Sequence, residues 1–548
     1  MSVLRVLAVV LLLSVALGSG IAVGEGTNAT QALEPGSTNA TIVGAYPNPV
    51  AHGDPGEFVT IRFEKPTNTT GWTLTDGKTT AALPNRTVSG TVAVAVHPDD
   101  AERHTDHPVV PLSGRLQLAD GGDELELRAD GDVVSSARYR NAPESERRDF
   151  EAESWRPIGA TSYEPIRTNK GTARAFVLPD SPDVVLEELE GANERIFVGG
   201  YTFTSERIST SLLEAAADGV DVRLLLDGAP VGGTSERQAR LLDELADGGV
   251  DVRLLSGPHT RYRHHHPKYA VVDDRAIVST ENFNPAGTGG MSSRGWGVVL
   301  EDDEPADTLA SLHTDDWTWR AATPWRTYRE GRTFSEADPA VGGYGSEYEP
   351  DRFEIDRATV LVAPDNAADA LVERMERADD RILVQQVRID SRENRLLRAA
   401  VDAAERGVSV RIHLDGSWYV EEDNEALVEW LNRRSEAEGW NLEARIDEPQ
   451  RYNKIHTKGV VIDETAVVGS LNWVRSAKSD NREVLVALEG SEAATYYASV
   501  FEDDWESDDR SFPGGLLAAV VAGASGALLA LRRIEFVGEA ETLTDWRS

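Results

Sequence analysis

The spacing of hydrophobic and polar residues changes character near residue 145. Between 42 and 139, apolar residues alternate with polar ones in short runs cut by turn residues. Examples are EFVTIRF at 57–63 and ELELR at 124–128, which leads into the turn Asp130-Gly131. Period-two alternation marks strands buried on one face, and several at short spacing predict a β-sandwich over 41–142. Beyond 175 the unit is longer. Residues 194–228 read ERIFVGGYTFTSERISTSLLEAAADGVDVRLLLDG, and residues 380–416 read DRILVQQVRIDSRENRLLRAAVDAAERGVSVRIHLDG. Each is an apolar run, a polar turn, an amphipathic helix ending at glycine (Gly219, Gly407), and a second apolar run closing on Asp-Gly. That order is strand–helix–strand, which requires a parallel sheet with helices on its faces. Pro179-Asp180 and Pro364-Asp365 open the two copies at matching places, so the chain contains an internal duplication.

Each copy carries the same polar cluster downstream. His266, Lys268 and Asp273 stand in HPKYAVVDD; His456, Lys458 and Asp463 stand in HTKGVVIDE, 190 positions later. Arg261-Tyr262 and Arg451-Tyr452 precede them at the same separation. On a strand, residues i and i+2 share a face, so histidine and lysine are expected to point into one pocket, with a turn at the aspartate. A return strand then brings Ser470 and Asn472 of GSLN, and Thr280 and Asn282 of STEN, back to the same side. Pro267 suits the first residue of a strand or an edge. One such cluster would say little, since a histidine beside a solvated lysine is ordinary. Two in register, each behind the same strand–helix–strand unit, mark a site.

The run His264-His265-His266 raises the question of a metal. Consecutive strand residues point to opposite faces, and neither a cysteine nor an obvious nearby carboxylate completes a ligand set. His97, His104 and His107 fall in a loop-like stretch and are expected to be solvated.

Composition changes the picture in two respects. Acidic residues number 93 against 55 basic ones, of which seven are lysines, for a formal charge of −38. Such a charge strains a compact protein by self-repulsion but is tolerated in molar salt, where the screening length falls to about 3 Å. A very salty habitat is the expectation. A hydrophobic content of 40% and 12 tryptophans exclude an acidic disordered chain. The absence of cysteine excludes disulfides, zinc–thiolate sites and thiol catalysis. Acidity argues against nucleic-acid binding, but only weakly where salt is high.

Both ends carry apolar segments. Residues 1–22 place Arg5 before an uncharged run and then small residues, the order of a signal peptide or an uncleaved anchor. Residues 514–531 are apolar and uncharged, and Arg532-Arg533 follow at once. They are expected to form a single transmembrane anchor with a cytoplasmic tail at 532–548, a buried core helix being the alternative. The bulk of the chain is then expected on the outer face of the cell membrane. Sequons at Asn28, Asn39, Asn68 and Asn85 fit an exported N-terminal part.

His-X-Lys-X4-Asp followed by Gly-Ser-X-Asn resembles the signature of the phospholipase D superfamily. The resemblance covers roughly 175–508, with a first repeat at 175–325, a linker at 326–355 and a second repeat at 356–508. IVGAYPNP from Ile42, GEFVTIRF, GWTLTDG from Gly71 and LADGGDELELRADGDVVSSARY from Leu118 resemble the lamin-tail domain. Together they imply an all-β, immunoglobulin-like sandwich, then a duplicated α/β unit of mixed or parallel sheets flanked by helices, then the membrane helix. The ligand of the sandwich is left open.

A phosphodiester is anionic with a poor leaving group, so its cleavage wants a nucleophile, an acid and positive charge on the phosphoryl oxygens. The resemblance implies that the histidine of one half takes the phosphoryl group while the other acts as acid, then as base toward water. The pattern suggests His266 as nucleophile and His456 as acid, an order that two nearly symmetric copies leave open. Lys268 and Lys458, with Asn282 and Asn472, would hold the non-bridging oxygens beside Thr280 and Ser470. Asp273 and Asp463 would orient and charge-balance their clusters. Glu483, in NREV, falls where some members place a carboxylate that steadies the opposite histidine. The matching spot in the first copy is near Gly295, so this support is expected on one side only. The scheme calls for no metal and no cofactor.

A phospholipid is the expected substrate, by headgroup hydrolysis or transfer, because the chain is read as tethered beside a membrane. A nuclease is the alternative, and a non-catalytic surface adhesin a third reading. Arg388 and Trp418-Tyr419 follow strands of the second copy, and Thr202-Phe203 follow the first strand of the first copy. Cleft lining and ordinary packing are both open for them.

Overall fold

The computed structural model describes residues 40–49, 56–161, 163–257, 259–336, 342–449 and 451–509. The segments read as signal peptide, membrane span and tail lie outside the described residues. Among the described residues no helix is long and apolar enough to cross a membrane.

The N-terminal alternation builds two facing sheets of six and five strands. In Glu124–Ala129 the inward positions Leu125 and Leu127 are fully buried, and in Phe58–Asn68 Val59, Ile61 and Phe63 face the same core. Trp72, Leu74, Val92 and Val94 complete it from neighbouring strands. The sandwich runs past the expected boundary at 142. Glu146–Asp149 pairs antiparallel with Ala40–Tyr46, and Ser154–Pro157 pairs in turn with Glu146–Asp149. Ser154–Pro157 forms the sheet edge; both added strands are half-buried throughout and lack an apolar alternation, so no period announces them.

The duplicated units form as the pattern requires. In the first repeat Arg195–Gly200, Asp221–Asp227 and Asp251–Leu255 lie parallel, joined by the helices Glu206–Ala217 and Glu236–Asp247. Arg381–Gln386, Ser409–Leu414 and Leu442–Ile446 repeat this arrangement with the helices Arg395–Glu405 and Glu421–Glu438. Ser205 and Asn394 cap corresponding helices, and Gly219 and Gly407 turn the chain just past the helix ends at φ of 95° and 101°, where a side chain would be strained. Each sheet continues into antiparallel strands. These are Tyr269–Val272, Arg275–Ser279 and Ser293–Leu300 in one half, and Lys458–Ile462, Thr465–Gly469 and Glu483–Glu489 in the other. The sheets are mixed.

The two sheets face one another across a single core in which Val177, Tyr269, Trp296 and Val298 of one half meet Val461, Val468, Val486 and Phe501 of the other. Helices cover the outer faces. The halves also trade strands. Ile166–Arg167, ahead of the first repeat, pairs with Arg357–Ala363 in the second sheet. Asp351–Ile355, in the expected linker, pairs with Gly171–Leu178 in the first sheet and buries Phe353 and Ile355. The linker therefore ends as a structural strand.

Candidate active site

The segments that carry the histidines are held from the opposite half. The His266 N–H donates to the Arg482 carbonyl at 3.0 Å, and the His456 N–H donates to the Arg294 carbonyl at 2.9 Å. Lys454–Ile455 runs parallel to Ser293–Leu300, and His265 bridges to Arg482 in the same manner. A second hold comes from the Asp-Gly ends of the parallel strands. Asp227 accepts the His265 N–H at 2.5 Å and Asp415 accepts the Ile455 N–H at 3.0 Å. The sequence assigns these aspartates no role; the available signal is that both copies close on the same acid. Pro267 stands just before the strand that starts at Tyr269, where no ladder hydrogen bond is lost.

Histidine and lysine share a face as expected. Lys268 Nζ lies 3.1 Å from His266 Nε2 and donates to the His266 carbonyl at 2.7 Å; Lys458 Nζ donates to the His456 carbonyl at 2.5 Å. Both lysines are buried. On the other edge of the ring, His266 Nδ1 lies 2.9 and 3.0 Å from the two oxygens of Glu483. Since the Lys268 ammonium donates to Nε2, the ring proton resides on Nδ1, toward the carboxylate, and Nε2 keeps its lone pair.

The carboxylate support is two-sided, which corrects the expectation of one. Glu281, the third residue of STEN, places Oε2 3.1 Å from His456 Nδ1. It was overlooked because its counterpart in GSLN is Leu471. Each imidazole thus takes its carboxylate from the other half. The second pair is close but not aligned as a hydrogen bond, so the site is asymmetric. Tyr201 adds to the asymmetry, packing edge-on to His266 at 4.6 Å.

Burial dominates the electrostatics. It holds the His266 imidazole well below its ordinary range, helped by Lys268 and Lys458. It does the same to His456, helped by Lys458, Lys454, Lys268 and His266 itself. Burial pushes the Glu281 carboxyl up to about 7 and that of Glu483 up to about 8, against the pull of the lysines, and brings Lys268 down to about 8. Ionised and neutral forms are therefore close in energy near neutrality, as acid–base work requires.

The other proposed site residues divide. Asp273 and Asp463 do not reach the histidines. Asp273 accepts the backbone N–H groups of Asn193, Glu194 and Arg195 at 2.8, 2.8 and 3.0 Å, and Asp463 those of Asp379, Asp380 and Arg381 at 3.0, 2.9 and 3.0 Å. Both sit at φ near 50° in the hairpin turn. Five residues of extended chain set them roughly 16 Å beyond the lysine. They are structural, tying the turn to the start of the neighbouring strand. Thr280 and Ser470 are buried, and their hydroxyls accept the Trp296 and Val484 N–H groups at 3.0 Å. Asn282 and Asn472 follow them half-buried, and Asn282 Oδ1 has no hydrogen-bond partner among the described residues. Of the three consecutive histidines, His265 is buried and brought down to about 4 by desolvation, while His264 Nδ1 stands 3.7 Å from Asp227. Phe203 is core; Trp418 is exposed.

The aspartates of the repeated Pro-Asp pairs and the tyrosines of the Arg-Tyr pairs belong to two buried clasps. Arg294 binds Asp180 of its own half and Asp504 of the other at 2.7 and 3.0 Å, and lies over the Tyr452 ring. Arg482 binds Asp365 of its own half and Asp316 of the other at 3.1 and 2.9 Å, and lies over the Tyr262 ring. These are the arginines whose carbonyls receive the histidine segments.

Two sheets related by duplication, with a histidine, a lysine and a crossed carboxylate from each, define a duplicated α/β fold whose polar clusters meet at the junction of the halves. Residues 185–317 and 371–505 match the family model described as the PLD-like domain of cardiolipin synthase. The chain belongs to the phospholipase D superfamily, whose members are phosphodiesterases or phosphotransferases. Similar solved structures include phosphatidylserine synthase from Haemophilus influenzae Rd KW20, at 14% identity over 61% of this chain and 86% of that one, TM-score 0.47. Nuc, a phospholipase D family member from Salmonella typhimurium, is similar at 22% identity over 29% of this chain and 98% of that one, TM-score 0.25. Polyphosphate kinase from Porphyromonas gingivalis is similar at 14% identity over 60% and 50%, TM-score 0.40. No curated protein sequence matches the chain significantly.

Proposed function

We propose that this protein is a metal-independent phospholipase D-type phosphodiesterase that hydrolyses or transfers phospholipid headgroups through a phosphohistidine on His266. The observation that carries the reading is the aligned Glu483–His266–Lys268 array, in which Nδ1 faces the carboxyl and the unprotonated Nε2 faces Lys268, whose ammonium must move onto the phosphoryl oxygens as Nε2 attacks. Nε2 attacks phosphorus and forms an N–P bond. The P–O bond to the headgroup breaks, and its oxygen takes the proton carried by the His456–Glu281 pair. Water, giving its proton to His456, then attacks phosphorus, the N–P bond breaks, and His266 is restored; an alcohol in place of water gives transfer. Lys268 and Lys458 hold the non-bridging oxygens, with Asn282 and Asn472 beside them.

The lipid reading is supported by two loops that the duplication makes equivalent, each following an Asp-Gly strand end beside the cleft. Val231 is 82% exposed in one and Trp418 is 87% exposed in the other. The Val231 N–H donates to the Tyr201 hydroxyl, and Tyr419, next to Trp418, approaches Asp415. Large apolar groups at the mouth of a polar cleft suit a bilayer interface, where tryptophan is favoured. An anchor at 514–531 would hold the cleft at the outer surface of the same membrane, and the acidic surface would suit high salt.

The test is an assay in molar salt with EDTA, on phospholipid vesicles and on DNA in parallel. Headgroup release from vesicles, unaffected by EDTA, is the expected result. Turnover of DNA alone would replace the lipid reading with a nuclease, loss of activity with EDTA would overturn the metal-free scheme, and inertness toward both would favour an adhesin.

A further inference from the structure

The N-terminal sandwich and the first repeat enclose between them a cleft of about 550 Å³. We propose that this cleft binds a compact oxyanion of the phosphate class, either inorganic phosphate or an organic phosphomonoester, at a site separate from the paired histidines. The inference does not depend on the lipid reading.

In a chain of net charge −38 the lining is cationic. Arg103 and Arg147 come from the sandwich and Arg261 and Arg320 from the first repeat, and His104 and His107 stand between them. These two histidines, expected to be solvated, are half-buried. The carboxylates in the lining, Asp106 and Asp315, are already engaged. Asp106 lies 3.6 Å from Arg261, and Asp315 accepts the Tyr163 hydroxyl at 2.6 Å.

Two guanidiniums have no carboxylate partner among the described residues. Arg320 reaches across the junction and donates only to the carbonyls of Glu102 and Thr105, at 2.9 and 3.2 Å. The half-buried Arg147 side chain makes no hydrogen bond or ion pair among the described residues, and burial, with Arg156 nearby, holds it below its ordinary range. The histidines feel the same field. Burial depresses His107, with Arg147 adding to it, and burial depresses His104, with Arg103 adding to it. Arg320 is exposed, but the half-buried Arg147 is partly desolvated, with Asp149 and Asp106 offsetting its charge only at a distance; an anion in the cleft lowers that cost.

The geometry favours a small, multiply charged oxyanion. Guanidinium forks match phosphate oxygens, and stacking on Trp319 pre-orients two of them, with Arg261 at 3.5 Å and Arg320 at 5.0 Å from the ring. With Arg261 and Arg320 already against the Trp319 ring, the ring is engaged, and the lining offers charge for a small anion rather than an apolar surface.

The experiment titrates inorganic phosphate and, separately, glycerol 3-phosphate into the full chain by calorimetry. Hydrogen exchange at residues 102–107 is followed in parallel. Phosphate is expected to bind and to protect 102–107. The double variant Arg147→Gln/Arg320→Gln is expected to bind at least tenfold more weakly while turning over substrate within twofold of the parent. Binding is expected to persist in His266→Asn/His456→Asn. Tighter binding of the monoester would assign the ligand to organic phosphates, and equal binding to the free ion. Absence of protection in the parent, binding within twofold in the folded glutamine variant, or loss of binding in the histidine variant would each overturn the site.

Discussion

Glu281 reaches His456 only because residue 295 is glycine: a Cβ there would stand 2.4 Å from Glu281 Cγ and 2.7 Å from its Oε1. Strand register makes Gly295 the counterpart of Glu483, since Ser279 pairs with Gly297 as Gly469 pairs with Leu485. One half supplies its carboxylate from the last strand, and the other keeps that place empty and supplies it from the turn before. Gly295→Ala is therefore expected to push Glu281 off His456 and lower kcat by about ten- to a hundredfold, part of what a positioned acid contributes. Steady-state kinetics, with circular dichroism to verify the fold, measure it. An activity within twofold of the parent would show that Glu281 does not position His456.

The proposed role of His266 as nucleophile rests on its aligned contact with Glu483 and has a direct test. His456→Asn is expected to accumulate covalent phospho-enzyme from a substrate with a good leaving group, because the attack by His266 survives while the water step fails. His266→Asn is expected to form none. Acid quench and intact-mass analysis distinguish the two, and a phospho-adduct in His266→Asn would reverse the assignment.

The alkaline limb of the pH profile should belong to the carboxyls. With Glu281 held up to about 7, the proton that His456 and Glu281 share is lost as the pH rises through that value. Burial keeps His266 unprotonated to well below pH 6.5. Activity is expected to be highest near pH 5.5–6, to be about half lost near pH 7 and to fall further toward 9. For stability, the folded chain retains a proton on Glu281 that the unfolded chain loses above its ordinary 4.5, so this group destabilises the fold increasingly between pH 4.5 and 7. Glu281→Gln should accordingly gain stability relative to the parent across that window while losing activity. Chemical denaturation at pH 5 and pH 7.5 tests the sign.

Stability and catalysis should separate cleanly at two polar positions, the buried Arg482 and the half-buried turn residue Asp273. Arg482→Leu leaves Asp316 and Asp365 buried without their cation and is expected to cost about 3–5 kcal/mol. Asp273→Ala removes the acceptor of three largely solvent-accessible backbone N–H groups and is expected to cost roughly 0.5–1.5 kcal/mol, with kcat little changed. A large fall in kcat for a folded Asp273→Ala protein would return that aspartate to the chemistry.

The exposed rim should matter only for aggregated substrate. Val231→Asp/Trp418→Ala is expected to lower the rate on vesicles about tenfold or more, the loss of two interfacial anchors. Turnover of a monomeric short-chain phosphodiester should stay within twofold. Equal loss on both substrates would place these residues in the substrate pocket instead.

Much of the architecture was legible because its causes are local. Period-two alternation marked the sandwich, and the repeated run–helix–run marked the parallel sheets, since side-chain direction follows from the strand and helix periods. His266 with Lys268, and His456 with Lys458, were readable because their spacing of two sets a shared face. Asp273 and Asp463 were misread because the motif lists them beside the histidine, while an extended strand carries them to its far end. Residues 146–157 went unread because strands half-buried on both faces need no apolar rhythm.

The sequence by itself determined the duplication, the two kinds of sheet and the two His-Lys pairs, all consequences of contacts between near neighbours along the chain. Only the tertiary structure decided how the halves meet. It set Glu483 against His266 and Glu281 against His456, clasped each arginine between acids of both repeats, and enclosed the cationic cleft behind the sandwich. Those contacts join residues tens to hundreds of positions apart, where no local period carries a signal and only packing brings the partners together.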